Sequence, residues 1–124
     1  MTRVLRTDVA VVGAGPGGLS AALAAVRCGA KVTVVDEYPE PGGQYFRQLA
    51  GGFAVPARDR LGAEYTRGDR LLAEVRSAGI ELLSGTMVWG SFRPHALEVV
   101  TGADGATLEA RALVIATGAT ERSI

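Results

Sequence analysis

The segment Gly13-Ala-Gly-Pro-Gly-Gly18 has the residue types and the spacing of a phosphate-binding turn. Gly13 permits a tight turn from a strand into a helix, and Gly15, which lacks a Cβ, lets phosphate groups approach the backbone. Gly18 allows the helix to pack closely on the strand. The free N–H groups and the positive dipole end of that helix would face the anion. The segment therefore predicts a site for a dinucleotide pyrophosphate.

An acidic residue follows at the distance that such a site requires. Asp36 comes directly after the apolar segment Lys31–Val35. A carboxylate at the end of a second parallel strand can accept hydrogen bonds from ribose hydroxyls. Each charge-assisted bond of this kind contributes roughly 1.5–3 kcal/mol. Asp36 is therefore the predicted ribose ligand.

The elements around the glycines meet the structural requirements of this motif. Val9–Val12 precedes it as a buried-type strand. Apolar residues at helical spacing follow it, Gly29 is a natural helix stop, and Lys31–Val35 is the next strand. A Gly-rich turn alone would be weak evidence, and an α/β protein without a nucleotide stays open as the alternative. The complete strand–helix–strand unit favours the nucleotide site.

The rest of the chain is predicted to add one helix and several short strands. Thr66–Asp69 resembles a capping box that opens a helix ending at Gly79. Residues 51–60 are predicted to form an irregular surface loop. Turn residues separate the predicted strands, of which the middle three would form an antiparallel meander and the last a buried parallel strand. These strands are Ile80–Leu83, Thr86–Phe92, Leu97–Thr101, Thr107–Ala110 and Ala112–Ala116.

Bulk properties limit the class of protein. A chain of 124 residues holds one domain at most, and its formal net charge of zero implies no attraction to nucleic acid or acidic membranes. No apolar run approaches the roughly 20 residues of a membrane helix, and no signal peptide is recognisable, so a cytoplasmic location is expected. With Cys28 as its single cysteine, the chain cannot form an internal disulfide or a thiolate metal cluster, and Cys28 is predicted to be small and buried. His95 is predicted to be a turn residue, and no catalytic or metal-binding residue is assigned.

Several segments taken together resemble the two-dinucleotide-binding flavoproteins of the pyridine nucleotide-disulphide oxidoreductase superfamily. They are Val11–Ala22, Val35–Glu37, Pro41–Gln44 and Leu113–Ala119. Within that superfamily, three further segments look closest to the α subunits of opine-oxidase, hydrogen-cyanide-synthase and sarcosine-type dehydrogenase complexes. These are Gly42–Arg47, Gly62–Gly68 and Thr86–Gly90.

The resemblance implies FAD at the first dinucleotide site. Four residues would then hold its pyrophosphate: Gly13, Gly15, Pro16 and Gly18. Asp36 would hold the adenosine ribose. The family often has Glu at that position, so Glu37 is expected to share the role.

Further residues are assigned to FAD by the same resemblance. Gly43 and Gln44 would line its ribityl and pyrophosphate side, and the backbone of Val88 would meet the adenine. A turn close to the cofactor is formed in the family by the residues that correspond to Ala116, Thr117 and Gly118. Alternatives remain for each group: a plain turn at Gly42–Gly43, a core role for Val88, and a simple strand end at Thr117–Gly118.

The expected fold is a Rossmann-like α/β FAD-binding domain with an inserted three-stranded antiparallel meander. Residues 1–124 would be its N-terminal portion, incomplete relative to the family, whose members have a second nucleotide domain for NAD(P) and a returning segment. A partner subunit or a C-terminal segment is therefore expected to complete it. The single Cys28 excludes thiol–disulphide chemistry within this segment.

Three functions fit these observations. The first is the FAD-binding portion of an oxidoreductase in which hydride transfer involves the flavin and an amine-type substrate or NAD(P)H. The second is a non-catalytic dinucleotide-binding or assembly subunit. The third is an NAD-binding Rossmann domain, in which Asp36 would favour NAD over NADP because a carboxylate repels a 2′-phosphate. The meander and Gly43-Gln44 count against the third.

Overall fold

The computed structural model describes residues 3–43, 60 and 62–119, and within them the chain forms two helices and six strands. The predicted α/β class is confirmed, with a strand–helix–strand unit at the start and an antiparallel meander after it. In chain order the elements are β1 Arg3–Val12, α1 Pro16–Arg27, β2 Val32–Val35, α2 Ala63–Ser77, β3 Glu81–Leu83, β4 Thr86–Arg93, β5 Ala96–Thr101 and β6 Asp104–Ile115.

All six strands belong to one sheet in the order β3-β2-β1-β6-β5-β4. The first four are parallel to their neighbours, so their carboxyl ends meet at one edge of the sheet. At that edge Val12 lies between Val35 of β2 and Ile115 of β6. β6 then pairs antiparallel with β5, and β5 with β4. The glycine turn follows β1 and therefore lies at this shared edge.

Two apolar cores lie on opposite faces of the parallel strands. Val11 and Val34 face the helices, where they pack with Leu19 of α1 and Val75 of α2. Their sequence neighbours, Ala10 of β1 and Val35 of β2, face the meander. Because successive strand residues point to opposite faces, the near-continuous apolar runs in β1 and β2 supply both cores. This double burial holds the carboxyl ends of the strands in a fixed arrangement.

β6 differs from the sequence prediction because it is one continuous strand. The pattern predicted separate strands at Thr107–Ala110 and Ala112–Ala116. Leu108 and Leu113 both contact the core on the meander side. Side chains five positions apart in a regular strand point to opposite faces, so the alternation changes phase within β6. Hydrogen bonding to β1 nevertheless continues to Ile115. β1 likewise begins at Arg3 rather than Val9, because its polar first half pairs with β6.

The predicted start of α2 is wrong. The helix begins at Ala63 after Gly62, whose φ is 106°, and the Thr66 hydroxyl donates a hydrogen bond to the Gly62 carbonyl at 3.1 Å. Thr66 is therefore inside the first turn and does not form a capping box. Gly79, with φ of 73°, follows the helix as predicted.

Cys28 and His95 both lie at the ends of elements. Cys28 is exposed, against the prediction, because α1 ends at Arg27 and leaves Cys28 at the helix cap. His95 lies in the turn between β4 and β5 with φ of 58°, as predicted. The predicted loop over 51–60 lies outside the described residues apart from Arg60. Among the described helices, none is long and apolar enough to cross a membrane.

Candidate functional site

Gly13 brings the ends of β1, β2 and β6 together. Its N–H donates to the Val35 carbonyl at 2.8 Å, and its φ of 108° is accessible mainly to glycine. A Cβ at this position would overlap the carbonyl oxygen of Ala116. Gly13 is therefore required by the protein's own packing.

Gly18 has a different packing role. It is buried in the first turn of α1, and a Cβ on it would overlap the Gly13 carbonyl oxygen. Gly18 lets the helix approach the end of β1, as predicted. It does not line the groove described below, so it acts on a bound phosphate only by placing the helix.

The fold does not require the residue at position 15 to be glycine. Its φ of −79° and ψ of −177° are extended values that any residue adopts, and a Cβ would meet the Gly43 Cα at 3.8 Å, an ordinary contact. Neither strain nor packing explains a glycine here. The missing side chain instead leaves space open in front of the helix.

The N-terminus of α1 faces that space with free donors. Gly15 is the N-cap and makes no side-chain cap, Pro16 opens the helix, and its first turn has no acidic residue. Leu19 donates the first helical hydrogen bond, to Gly15, so the N–H groups of Gly17 and Gly18 precede the helical ladder. This end of the helix is suited to an anion.

A groove runs across the carboxyl ends of the parallel strands as two adjoining clefts. The loop cleft has a volume of about 440 Å³ and is lined by Gly13, Gly15, Pro16, Gly17, Asp36, Glu37, Tyr38, Gly43, Ala116, Thr117, Gly118 and Ala119. The meander cleft has a volume of about 190 Å³ and is lined by Val12, Gly13, Val35, Asp36, Glu37, Tyr38, Thr86, Met87, Val88 and Thr117. The clefts share five lining residues and form one continuous groove.

Ten of the predicted site residues line this groove. They are Gly13, Gly15, Pro16, Asp36, Glu37, Gly43, Val88, Ala116, Thr117 and Gly118. Gly18 lies behind it, and Gln44 is outside the described residues. Seven further residues line the groove and were not predicted: Val12, Gly17, Val35, Tyr38, Thr86, Met87 and Ala119. All of these except Thr86 are next to a predicted residue in the sequence.

The carboxylate of Asp36 accepts hydrogen bonds from two backbone N–H groups. Oδ2 accepts the Ala14 N–H at 2.6 Å, and Oδ1 accepts the Tyr38 N–H at 2.8 Å. Asp36 thus connects the end of β2 to the glycine turn. Glu37 is exposed, and its carboxylate has no hydrogen-bond partner among the described residues.

The segment after Asp36 folds back onto the glycine turn. The Gly42 N–H donates to the Ala14 carbonyl at 2.7 Å, and a Cβ on Gly43 would lie 2.8 Å from the Gly15 Cα. Gly43 has φ of 63°. The turn at Gly42–Gly43 therefore forms a wall of the loop cleft in addition to reversing the chain.

Fold and groove together define a dinucleotide-binding α/β protein, with its ligand groove at the carboxyl ends of parallel strands. Residues 7–124 match the family described as pyridine nucleotide-disulphide oxidoreductase. The chain belongs to this family, and the resemblance inferred from its motifs is confirmed. Membership supports a flavin-dependent redox function.

Two curated relatives and one solved structure illustrate the similarity. An opine oxidase subunit from Agrobacterium tumefaciens (strain Ach5) is 35% identical, covering 93% of this chain and 24% of that protein. Ferredoxin–NADP reductase of Rhodospirillum rubrum is also 35% identical, covering 93% of this chain and 35% of that protein. The L-proline dehydrogenase of P. horikoshii superposes with a TM-score of 0.79 at 22% identity, over 100% of this chain and 25% of that one, which shows the fold alone. The chain thus spans between a quarter and about a third of the length of these proteins.

Proposed function

We propose that the groove binds FAD and that residues 1–124 are the N-terminal portion of the FAD-binding domain of an oxidoreductase. The observation that carries the proposal is Gly15, whose glycine neither the backbone conformation nor the packing requires. It opens the loop cleft beside Gly17, whose N–H precedes the helical hydrogen bonds. A diphosphate needs this combination of free donors and absent side chain.

The residues around the groove fit the parts of FAD. The pyrophosphate would lie at the loop cleft against Gly13, Gly15 and Pro16, within reach of the α1 dipole. The acids at the end of β2 would take the ribose, and the meander cleft with Val88 would take the adenine.

The remaining predicted residues would border the ribityl and flavin side of FAD. These are Gly43, Gln44, Ala116, Thr117 and Gly118. FAD when bound supplies the two-electron acceptor for hydride transfer, while the protein binds and orients it.

The electron donor is proposed to be an amine or amino-acid-type substrate, or NAD(P)H bound in another part of the protein. The name of the opine oxidase supports the former, and that of ferredoxin–NADP reductase supports the latter. Within the described residues we assign no catalytic acid or base. The residues that contact substrate are proposed to lie in another segment or subunit.

A further segment or a partner subunit is proposed to complete the sheet. β5 pairs with β6 only as far as Glu109, and the Ala110 N–H still donates to the His95 carbonyl at 2.9 Å. From Ala112 to Ile115, β6 pairs with β1 on one side and with no described strand on the other. Ile115 is 64% exposed. An open strand edge beside an exposed apolar side chain is a surface that another strand can cover.

The test is to purify the protein, record its visible absorption and identify the nucleotide released on denaturation. We expect a flavin spectrum and FAD, reduced by an amine donor or by NAD(P)H. Bound FAD that no donor reduces would favour the non-catalytic binding subunit. Retention of NAD without flavin would contradict the proposal and favour the NAD-binding domain.

A further inference from the structure

Tyr38 is exposed although its backbone is held at two points. The Tyr38 N–H donates to Asp36 Oδ1 at 2.8 Å, and its carbonyl accepts the Gly85 N–H at 2.9 Å. Tyr38 lines both clefts, is 62% exposed and belongs to neither apolar core. Its hydroxyl makes no hydrogen bond to another described residue. The fold therefore fixes where this residue lies without using its ring.

Met87 reaches the same groove from a distant segment of the chain. The Thr86 N–H donates to the Asp36 carbonyl at 2.9 Å and, with the bond from Gly85 to Tyr38, joins the start of β4 to the segment after β2. Met87 lines the meander cleft, is 49% exposed and belongs to neither apolar core. Two backbone hydrogen bonds therefore bring Met87 and Tyr38 into one cleft.

Tyr38 and Met87 differ from the other exposed apolar residues in their position. Six large apolar residues are exposed in the part of the chain that the structure describes, and the four besides Tyr38 and Met87 lie outside the groove lining. Besides the acids at the end of β2, the lining of the meander cleft includes Val12, Val35 and Val88. An aromatic ring and a thioether beside apolar walls suit a flat ring, because bases stack on aromatic side chains and sulfur makes favourable contacts with aromatic rings.

We propose that the side chains of Tyr38 and Met87 hold the adenine ring of the dinucleotide, Tyr38 by stacking and Met87 by contact of its thioether with the ring. The inference rests on the proposed binding of FAD and deepens it. The family resemblance assigns the adenine to the backbone of Val88, which a residue of any type could supply. Tyr38 and Met87 instead make recognition of the base depend on two side chains of this chain, so they are specificity-determining residues.

The affinity test compares ADP with inorganic pyrophosphate, which has no base, as competitors of FAD in the complete protein. Tyr38→Ala is expected to weaken the binding of ADP by about tenfold, the effect of losing one base–aromatic stack, and Met87→Ala by about threefold. Neither substitution should change the affinity for pyrophosphate. Tyr38→Phe should keep the affinity for ADP because it keeps the ring.

Phe92→Ala is the matched control for Tyr38→Ala. It removes a ring that is 72% exposed but lies outside the groove lining, so the affinity for ADP should not change. A second readout uses the fluorescent etheno derivative of ADP, whose base is quenched when it stacks on an aromatic ring. We expect the quenching on binding to be lost in Tyr38→Ala and kept in Tyr38→Phe.

The inference can fail while the proposed function stands. It is overturned if wild type binds FAD and Tyr38→Ala keeps the wild-type affinity for ADP, or if Tyr38→Ala weakens pyrophosphate as much as ADP. It is also overturned if Tyr38→Phe loses as much affinity as Tyr38→Ala, and an unchanged affinity in Met87→Ala overturns the part assigned to Met87. If wild type binds neither FAD nor ADP, the proposed function fails and the inference fails with it.

Discussion

Three glycines of one turn are needed for three different physical reasons. Gly13 has a positive φ, and its close approach to Ala116 leaves no room for a side chain. At Gly18, a Cβ would overlap the Gly13 carbonyl oxygen. Gly15 has ordinary angles and only an ordinary neighbour. Substitutions at Gly13 and Gly18 therefore report on folding, whereas a substitution at Gly15 reports on the ligand.

Gly15→Val is expected to fold and to lose FAD. Valine adopts the observed φ of −79°, and the cost of replacing an N-cap glycine is about 1 kcal/mol. The branched side chain would fill the space in the loop cleft beside Gly17. FAD affinity should fall on the order of 100-fold, as for the loss of charge-assisted bonds to phosphate. Flavin stoichiometry after gel filtration measures the loss.

Gly105→Val is the control for this substitution. Gly105 lies in β6 outside the residues that line the groove, and a Cβ there would approach only the Val99 carbonyl, at 4.0 Å. It adds the same side chain without reaching the nucleotide. Full flavin content in Gly15→Val would show that the loop cleft does not hold the pyrophosphate.

At the scale of elements, the site depends on how closely α1 approaches β1. Gly17 and Gly18 are adjacent in the first turn, yet a Cβ on Gly17 meets nothing within 4 Å whereas a Cβ on Gly18 overlaps the Gly13 carbonyl oxygen. The helix can keep its present distance from the strand only if residue 18 is glycine. The N–H groups that face the groove move with the helix.

Gly18→Ala is therefore expected to destabilise the apoprotein by about 1–3 kcal/mol, the usual cost of overpacking, and to weaken FAD binding as well. Gly17→Ala should raise stability slightly, since alanine is favoured over glycine in a helix by up to about 1 kcal/mol. Denaturant unfolding of both apoproteins measures the difference. Equal stability of the two variants would contradict the close packing of α1 on β1.

The elements also show which parts of the structure the sequence determines locally. The strand–helix–strand unit could be predicted because its glycines, its helical spacing and Asp36 act within one short segment. The sequence pattern divides β6 in two because its side chains change phase between Leu108 and Leu113, and only its pairing with β1 reveals one strand. The same pattern misplaces the start of α2 because Gly62, not Thr66, provides the N-cap.

One part of the candidate site could also be predicted from the local sequence, and another part could not. The glycine turn and the acids follow from spacing along the chain. Thr86 and Met87 enter the groove only because the Thr86 N–H bonds to the Asp36 carbonyl, which brings β4 against the end of β2. A contact between distant segments leaves no periodicity in the sequence, so this wall of the groove could not be predicted in detail.

At the scale of the molecule, two exposed apolar surfaces among the described residues lie outside the groove lining. One is the second half of β6, where Ile115 borders a strand edge with no described partner. The other is on β4, where Trp89 and Phe92 are exposed with ring centroids 5.5 Å apart. β6 lies in the middle of the sheet and leads directly to the residues of the loop cleft. Covering its edge would therefore also order one side of the groove.

This chain, purified by itself, is expected to self-associate through the open edge of β6. Ile115→Lys should reduce the association, because a lysine at a strand edge adds charge and opposes edge-to-edge pairing. Phe92→Lys is the control, since it removes a more exposed apolar side chain, 72% against 64%, from β4 instead. Sedimentation velocity over a range of concentrations measures both. A monomeric wild-type chain that unfolds cooperatively at high temperature would show that the β6 edge needs no partner. If only Phe92→Lys reduced the association, the contact surface would be on β4 instead.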